Sequence, residues 1–264
     1  AISDVVLSGN SFNKGSASIN PGSGGVVVGS SGAAGSTSLT YSITGNSFRG
    51  AAGAALTVQK GAGTGSSTGT IAGNTIGVSG VANSGSTQGT GISVIHLGAG
   101  TSTHAITNNV LRQINGSSGM LLQVGDAVAS GGNGTYNVTV TGNDIQQEGT
   151  TINSGRSAIT LTSGTATGDG HLVCADIGGA GALANNIVNF NTSSAGNDNR
   201  IRPNQRFLTT VRMPGYTGAN NDNAAVATYL LGRNTASRVL ASNSVSSGGG
   251  GYVNTPSGAA CPQP

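Results

Sequence analysis

One asparagine recurs along this chain in a fixed frame, three residues after one apolar side chain and two before another. The matches are Leu7/Asn10/Phe12, Ile43/Asn46/Phe48, Ile71/Asn74/Ile76, Ile106/Asn109/Leu111, Val140/Asn143/Ile145 and Leu183/Asn186/Val188. Successive asparagines lie 36, 28, 35, 34 and 43 residues apart. A recurrence on the scale of roughly 20 to 50 residues signals stacked supersecondary units. The uneven intervals argue against helical repeats with fixed turns and favour a β-solenoid, in which each coil keeps its short strands and lets one loop vary.

Between the asparagines lie further strand candidates, at residues 24–29, 54–59, 91–97, 119–124 and 157–162. Each is short, rich in Val, Ile, Leu and Thr, and bounded by Gly or Ser, as buried strands are. Each coil is thus expected to hold at least two strands. Composition points the same way: only 7% of residues are charged and 3% aromatic, while Gly supplies 47 positions. So little bulk and charge leaves backbone hydrogen bonds and small-residue packing to hold the chain together, and sheet does this better than helix here. Net charge is only +3, which argues against disorder. No segment approaches the roughly 18 apolar residues of a membrane-spanning helix.

The asparagine has a physical reading. At a bend between strands a residue must tolerate a left-handed or bridging backbone, which Asn does better than other non-glycine residues. Stacked coils would set these amides about 4.8 Å apart, so that Asn10, Asn46, Asn74, Asn109, Asn143 and Asn186 form a hydrogen-bonded ladder. The flanking apolar residues are expected to point into the core. The preceding Gly9, Gly45, Gly73 and Gly142 are expected to relieve crowding.

This Ile-x-Gly-Asn-x-Ile pattern with intervening strands resembles the right-handed parallel β-helix proteins, a group that includes pectate-lyase-like enzymes, phage tailspikes and the passenger regions of bacterial adhesins. The resemblance covers residues 1–192 and implies an all-β, right-handed parallel β-helix of about six coils. It alone implies the handedness, and it names no function, because the architecture serves enzymes and inert surface proteins alike.

From residue 193 the asparagine pattern is expected to stop, and Arg200, Arg202, Arg206, Arg212, Arg233 and Arg238 follow. Asn221, Asp222 or Asn223 is placed to cap one helix running through Ala224, Val226, Ala227, Tyr229 and Leu230 to Gly232. Residues 193–264 are therefore read as a small Arg-rich cap with one short helix and a tail opening on a flexible Gly run. The "VCADIGG" strand, the segment ending "MPGYTG" and the terminal "CPQP" resemble the C-terminal region of very large secreted bacterial proteins built of β-strand repeats. That implies extracellular display.

Cys174 and Cys261 show no metal-type spacing. They are expected to form one disulfide in an oxidising compartment, pinning the tail over the end of the solenoid; two unrelated free thiols are the alternative. The chain opens at "AISDVV" with no signal peptide, read as a processed or excised segment.

Catalytic chemistry finds few residues. No two of the acidic residues are adjacent, whereas glycosidases need paired carboxylates and lyases need several around calcium. Asp144 and Glu148 are the one candidate pair, and a solvated edge is the competing reading. "GDGH", residues 168–171 with its preceding Gly, reads as a turn. His96 and His104 have no evident partner, and "GSSTG" at 65–69 lacks the strand and helix that a nucleophile elbow needs. The "GGNGTY" and "GGAGAL" runs carry Tyr136 and Leu183 where a calcium roll needs Asp. A regular Thr array of the ice-binding kind is not expected, because coil length varies too much.

No catalytic centre, cofactor or metal site is expected. The expected role is a secreted structural or adhesive solenoid at the bacterial cell surface, self-associating end to end or meeting other surface components, because "VVLSGNSF" starts a coil with no amphipathic cap over its first rung. The alternative is a polysaccharide-binding or polysaccharide-degrading β-helix. Arg200, Arg202, Arg206 and Arg212 are candidate polyanion contacts, set against a reading in which arginines cover the solenoid end. Nucleic acid is disfavoured, since only Phe207, Tyr216 and Tyr229 interleave with them.

Overall fold

A computed structural model describes residues 2–13, 25–30, 37–125, 132–147, 157–179, 186–190, 200–245, 247–255 and 258–264. The chain winds as a parallel β-helix whose coils each contribute one strand to each of three sheets. The first coil holds β1 (Ile2–Ser8), β2 (Ser11–Asn13) and β3 (Val26–Gly29), and the second β4 (Ser38–Thr44), β5 (Ser47–Arg49) and β6 (Leu56–Lys60). The third holds β7 (Ser66–Ala72), β8 (Thr75–Ile76) and β9 (Ile92–His96), and the fourth β10 (Thr101–Thr107), β11 (Val110–Arg112) and β12 (Met120–Val124). The fifth holds β13 (Thr135–Thr141), β14 (Asp144–Gln147) and β15 (Ile159–Ser163), and the sixth β16 (Leu172–Ile177), β17 (Ile187–Phe190) and β18 (Arg200–Phe207). After them come β19 (Thr210–Arg212), helix α1 (Asn223–Leu231), β20 (Thr235–Ala236), β21 (Arg238–Val239), β22 (Ser242–Val245) and β23 (Gly251–Val253).

Sheet A runs β1-β4-β7-β10-β13-β16-β19-β23, sheet B β2-β5-β8-β11-β14-β17-β20, and sheet C β3-β6-β9-β12-β15-β18-β21, with β22 also on β18. All the strand pairs are parallel, with one-to-one register; β1 meets β4 as Ile2↔Ser38 through Ser8↔Thr44. Strand-to-strand crossovers of this kind take the right hand in nearly all proteins.

Each coil therefore has three strands among the described residues. In the first five coils the asparagine frame spans the corner between sheets A and B: the apolar residue ahead of it is the last but one of a sheet A strand, and the one behind it sits in sheet B. From the second coil to the fifth both side chains are buried, as at Ile71 and Ile76. The intervening candidates form sheet C.

Two details of the bend differ from the expectation. The left-handed residue is the one before the ladder asparagine: Gly9, Gly45, Gly73 and Gly142 have φ between 63° and 66°, and Asn108 takes the same place at 55°. Added Cβ atoms at Gly9, Gly45 and Gly73 would meet nothing within 4 Å. Glycine is used there for its backbone conformation and not to relieve crowding.

The stacked architecture also runs past residue 192. β18, β19 and β20 pair with β15, β16 and β17, so the Arg-rich region extends all three sheets. The Gly run leads into β23, where Tyr252 is buried against the core. Asp222 caps α1, its carboxylate accepting from the backbone N–H of Ala224 and Ala225 at 2.9 Å each. α1 buries Val226 and Leu230 in the core and packs on β21, closing that end of the stack. No helix among the described residues is long and apolar enough to cross a membrane.

Candidate functional site

The asparagines form a continuous hydrogen-bonded column. Asn46 donates from both its backbone N and its Nδ2 to Asn74 Oδ1 at 2.9 Å, and Asn74, Asn109 and Asn143 repeat the arrangement toward Asn109, Asn143 and Asn186. Nδ2 of each reaches back as well, Asn74 to Ile43 O at 2.8 Å and Asn109 to Ile71 O at 2.9 Å. That carbonyl belongs to the apolar residue three before the previous asparagine. The spacing in the frame is thus fixed from both sides: the side chain of the apolar residue enters the core while its carbonyl takes the amide of the next coil. Asn234 prolongs the column, with Asn186 Nδ2 donating to its Oδ1 at 2.8 Å. The pattern thus continues past the point where it is expected to stop, and Leu231, Asn234 and Ala236 carry the same spacing.

The column has unlike ends. Asn234 donates to Ile177 O and to Leu230 O of α1, so the helix terminates it. At the other end Asn10 donates to Asn46 Oδ1, and β1, β2 and β3 are the outermost strands of their sheets. Val5, Leu7, Phe12 and Val26 face the core but are only partly covered, while Val6 and Val27 are 73% and 70% exposed.

A second polar cluster lies inside the stack, where sheet C turns into sheet A. All three histidines of the chain are there and buried. Lys60 is buried below them, its Nζ donating to Gly61 O, Gly63 O and Leu97 O at 3.0, 2.6 and 3.0 Å. An ammonium with three donors suits a corner whose turning backbone directs carbonyls inward; burial brings its pKa down to about 8. His96 in the next coil pairs through Nδ1 with Ser102 Oγ at 2.7 Å, and His104 Nδ1 with Tyr41 OH at 2.7 Å. Both histidines therefore do have partners. His171 Nδ1 accepts from Gly134 N at 3.0 Å, which leaves the proton of the neutral ring on Nε2, 3.8 Å from Asp169 Oδ1. Burial lowers the pKa of His96 and His104 to about 3, helped at His96 by the positive charge of Lys60, and lowers that of His171.

Asp169 has its other oxygen on the backbone N–H of Thr165 and Ala166 at 2.8 and 2.9 Å, so the "GDGH" segment is a turn. Asp169 and His171 are wholly buried, with no surface for a substrate to reach them. Asp144 is engaged at both oxygens, by Arg112 at 2.6 Å and Gln146 at 2.6 Å. Glu148, its expected companion, lies outside the described residues, as does Leu183. No group of three or more metal-ligating side chains occurs among the described residues.

Three of the four candidate polyanion contacts share one face of a single strand, and the fourth lies on another sheet. Arg200, Arg202 and Arg206 are on β18 in sheet C, with Arg200 buried and Arg206 over the Phe207 ring at 4.8 Å. Arg212 is on β19 in sheet A. Arg233 instead ties Asp176 at 2.7 Å.

Cys174 and Cys261 are joined, so neither is a free thiol. The tail does not cross the end of the stack, however. Cys174 occupies the outward row of sheet A, beside Asn137 and Arg212. The tail lies along that face across the strands: Arg212 donates to Ala259 O, and Gln263 Nε2 to Thr139 Oγ1 at 2.6 Å.

Sheet A holds a further pattern that the uneven coil lengths concealed. β4, β7, β10 and β13 are each seven residues long and in register, because the extra residues of longer coils fall in loops outside this sheet. Leu39, Tyr41 and Ile43 point inward, so their neighbours form outward rows. Two rows read Ser38-Ser66-Thr101-Thr135 and Thr40-Thr68-Thr103-Asn137; two more read Ser42-Thr70-Ala105-Thr139 and Thr44-Ala72-Thr107-Thr141. Hydroxyls dominate these four strands, and the same outward rows run on to Asp4 on β1, Asp176 on β16 and Arg212 on β19. Where the tail crosses, Asn137 and Thr139 are buried.

No protein-family model, curated protein or solved structure matches the chain, so its likenesses to known families stand as resemblances of sequence pattern.

Proposed function

We propose that this chain is a structural or adhesive element of the bacterial cell surface, a rigid solenoid that presents its long faces to the surroundings. The observation that supports this reading is how most of the reactive side chains among the described residues are spent. The histidines, Lys60, Asp144, Asp169, Asp176 and Asp222 serve coil stacking, turns, ion pairs and the helix cap. A disulfide holding the tail supports an oxidising compartment.

The unlike ends shape the self-association we expect. α1 covers the C-terminal end, so growth by stacking head to tail is disfavoured there. β1, β2 and β3 are the outermost described strands of their sheets, and unpaired strand edges recruit other strands, so a further coil or the end of another molecule is the partner we expect there.

Negative-stain images of the purified chain at high concentration test the assembly, with end-joined particles expected and strictly single particles counting against it. Labelling of intact cells with an antibody to the chain tests the location; signal only after lysis would overturn the surface reading. Release of reducing sugar or unsaturated product from a polysaccharide panel, abolished by Asp144→Ala, would replace this reading with that of an enzyme.

A further inference from the structure

We infer that the outward face of sheet C, at its C-terminal end, binds an acidic polysaccharide through Arg202, Arg206 and Arg238. This inference goes beyond the structural role proposed above and holds for the isolated chain, wherever it is displayed.

The register sets the three guanidinium groups on one face. Along β18 the residues Ile201, Pro203 and Gln205 are buried, so Arg202, Asn204 and Arg206 point outward. Arg202 and Arg206 are four residues apart, about 13 Å along an extended strand. β21 pairs with β18 as Arg200↔Arg238 and Ile201↔Val239. Val239 is buried and Arg238 exposed, so Arg238 joins the same face one coil on, roughly 8 Å from Arg202. Arg200 is itself buried and is not one of the contacts.

Charge on this face is arranged unlike charge elsewhere in the fold. Arg112 and Arg233 are paired with Asp144 and Asp176 at 2.6 and 2.7 Å. Among the described residues no carboxylate pairs with Arg202, Arg206 or Arg238. The outward positions of β6, β9, β12 and β15 carry no charge, so the positive potential is confined to the C-terminal end of the sheet. Like charges gathered in this way repel one another. Anionic groups laid across them remove the repulsion, and each planar guanidinium can take a carboxylate through two parallel N–H···O bonds.

The neighbours of the arginines indicate what kind of anion fits. Thr160 stands beside Arg202 and Ser244 beside Arg206, with Asn204 between the two arginines. Hydroxyls and an amide set among guanidinium groups suit a partner that alternates carboxylates with hydroxyls, as a polymer of sugar acids does. A linear polymer is favoured over a small anion because one chain spans all three arginines, and each contact after the first is made at high effective concentration. Single-stranded nucleic acid is the competing polyanion. Its bases are held by aromatic stacking, and the one ring beside these arginines, Phe207, already lies under Arg206.

The test is equilibrium binding of the disulfide-intact chain to immobilised alginate, a linear polymer of uronate carboxylates, with single-stranded DNA and uncharged dextran immobilised alongside. The wild-type chain is expected to bind alginate and to be released as salt rises from roughly 0.05 to 0.5 M, since exposed charges are screened over that range. Arg202→Gln combined with Arg206→Gln is expected to weaken binding roughly ten-fold or more, through loss of charge-assisted hydrogen bonds. Arg49→Gln combined with Arg212→Gln removes the same charge from sheets B and A and is expected to leave binding unchanged. Arg238→Gln is expected to weaken binding by itself, and it carries the reading should the first pair of substitutions alter the melting of the chain. Failure of the wild-type chain to bind alginate overturns the inference. Equal loss in the Arg49 and Arg212 variant also overturns it, by showing that net charge alone is read. Tighter binding to DNA that the Arg202 and Arg206 variant abolishes overturns it in favour of a nucleic acid, and equal binding to dextran shows that carboxylates are not what the face recognises.

Discussion

The Nδ2 of Asn74 donates to Oδ1 of Asn109 at 2.9 Å, and the backbone N–H of Asn74 donates to the same oxygen at 3.0 Å. One side chain thus accepts twice from the coil before it, while its own amide serves the coil after it and a carbonyl, Ile71 O, behind it. Removing one buried member leaves several polar groups without partners.

Asn109→Ala is therefore expected to cost about 3 kcal/mol or more, since each buried polar group left unpaired costs roughly 1–3 kcal/mol. Asn10→Ala, at the exposed end of the column, is expected to cost about 1 kcal/mol or less, because water replaces the lost partner. Urea unfolding of the two variants measures the difference. Equal losses would show that burial does not set the value of a rung.

Gly73 has φ of +63° with open space where a Cβ would go. Gly73→Ala is expected to destabilise by about 1–2 kcal/mol through backbone strain alone. Gly73→Asn is expected to cost less, because Asn108 already fills the equivalent position one coil later. The ranking of the two unfolding midpoints checks this.

Acid should weaken the fold through the buried histidines. Their pKa values are lowered in the folded chain, to about 3 at His96 and His104, so the unfolded chain binds protons first as pH falls below 6.5. Stability is full above that pH and falls as pH drops toward 3. The slope is about 1.4 kcal/mol per pH unit for each histidine. Unfolding midpoints between pH 7.5 and 5 report the slope, and His104→Phe is expected to reduce it by close to one proton. An unchanged slope would mean that His104 is already protonated in the fold.

Cys174 and Cys261 are 87 residues apart, and cross-links of that span contribute about 4–5 kcal/mol in the chain-entropy account. Reduction is expected to lower stability by up to that amount and to free the tail from Thr139. Carboxypeptidase should then trim the C-terminus of the reduced chain and spare the oxidised one. Equal trimming would show that the tail is held by other contacts.

Much of this fold was legible because its signals are local. The asparagine frame and the sheet C strands each occupy a few consecutive residues, and β6, β9, β12 and β15 fall within a few residues of the segments read from sequence. What escaped requires knowing which residues become neighbours a coil apart. Lys60 and His96 are 36 positions apart in sequence and directly opposed in register. Nothing local distinguishes them from surface residues. The hydroxyl rows escaped for a related reason: the interval between asparagines varies, yet the variation is absorbed in loops, and only the register reveals that Ser42, Thr70 and Ala105 are adjacent. Asn234 follows a helix where its fellows follow a strand, so the context that identified them was missing.

Side-chain amide exchange tests the stacked column most directly. After transfer of the nitrogen-15-labelled chain into heavy water, the Nδ2 protons of Asn46, Asn74, Asn109, Asn143 and Asn186 should persist in the spectrum long after those of exposed asparagines have vanished. Loss of all of them within the dead time would mean that the amides are not bonded coil to coil, and the architecture built on them would fall.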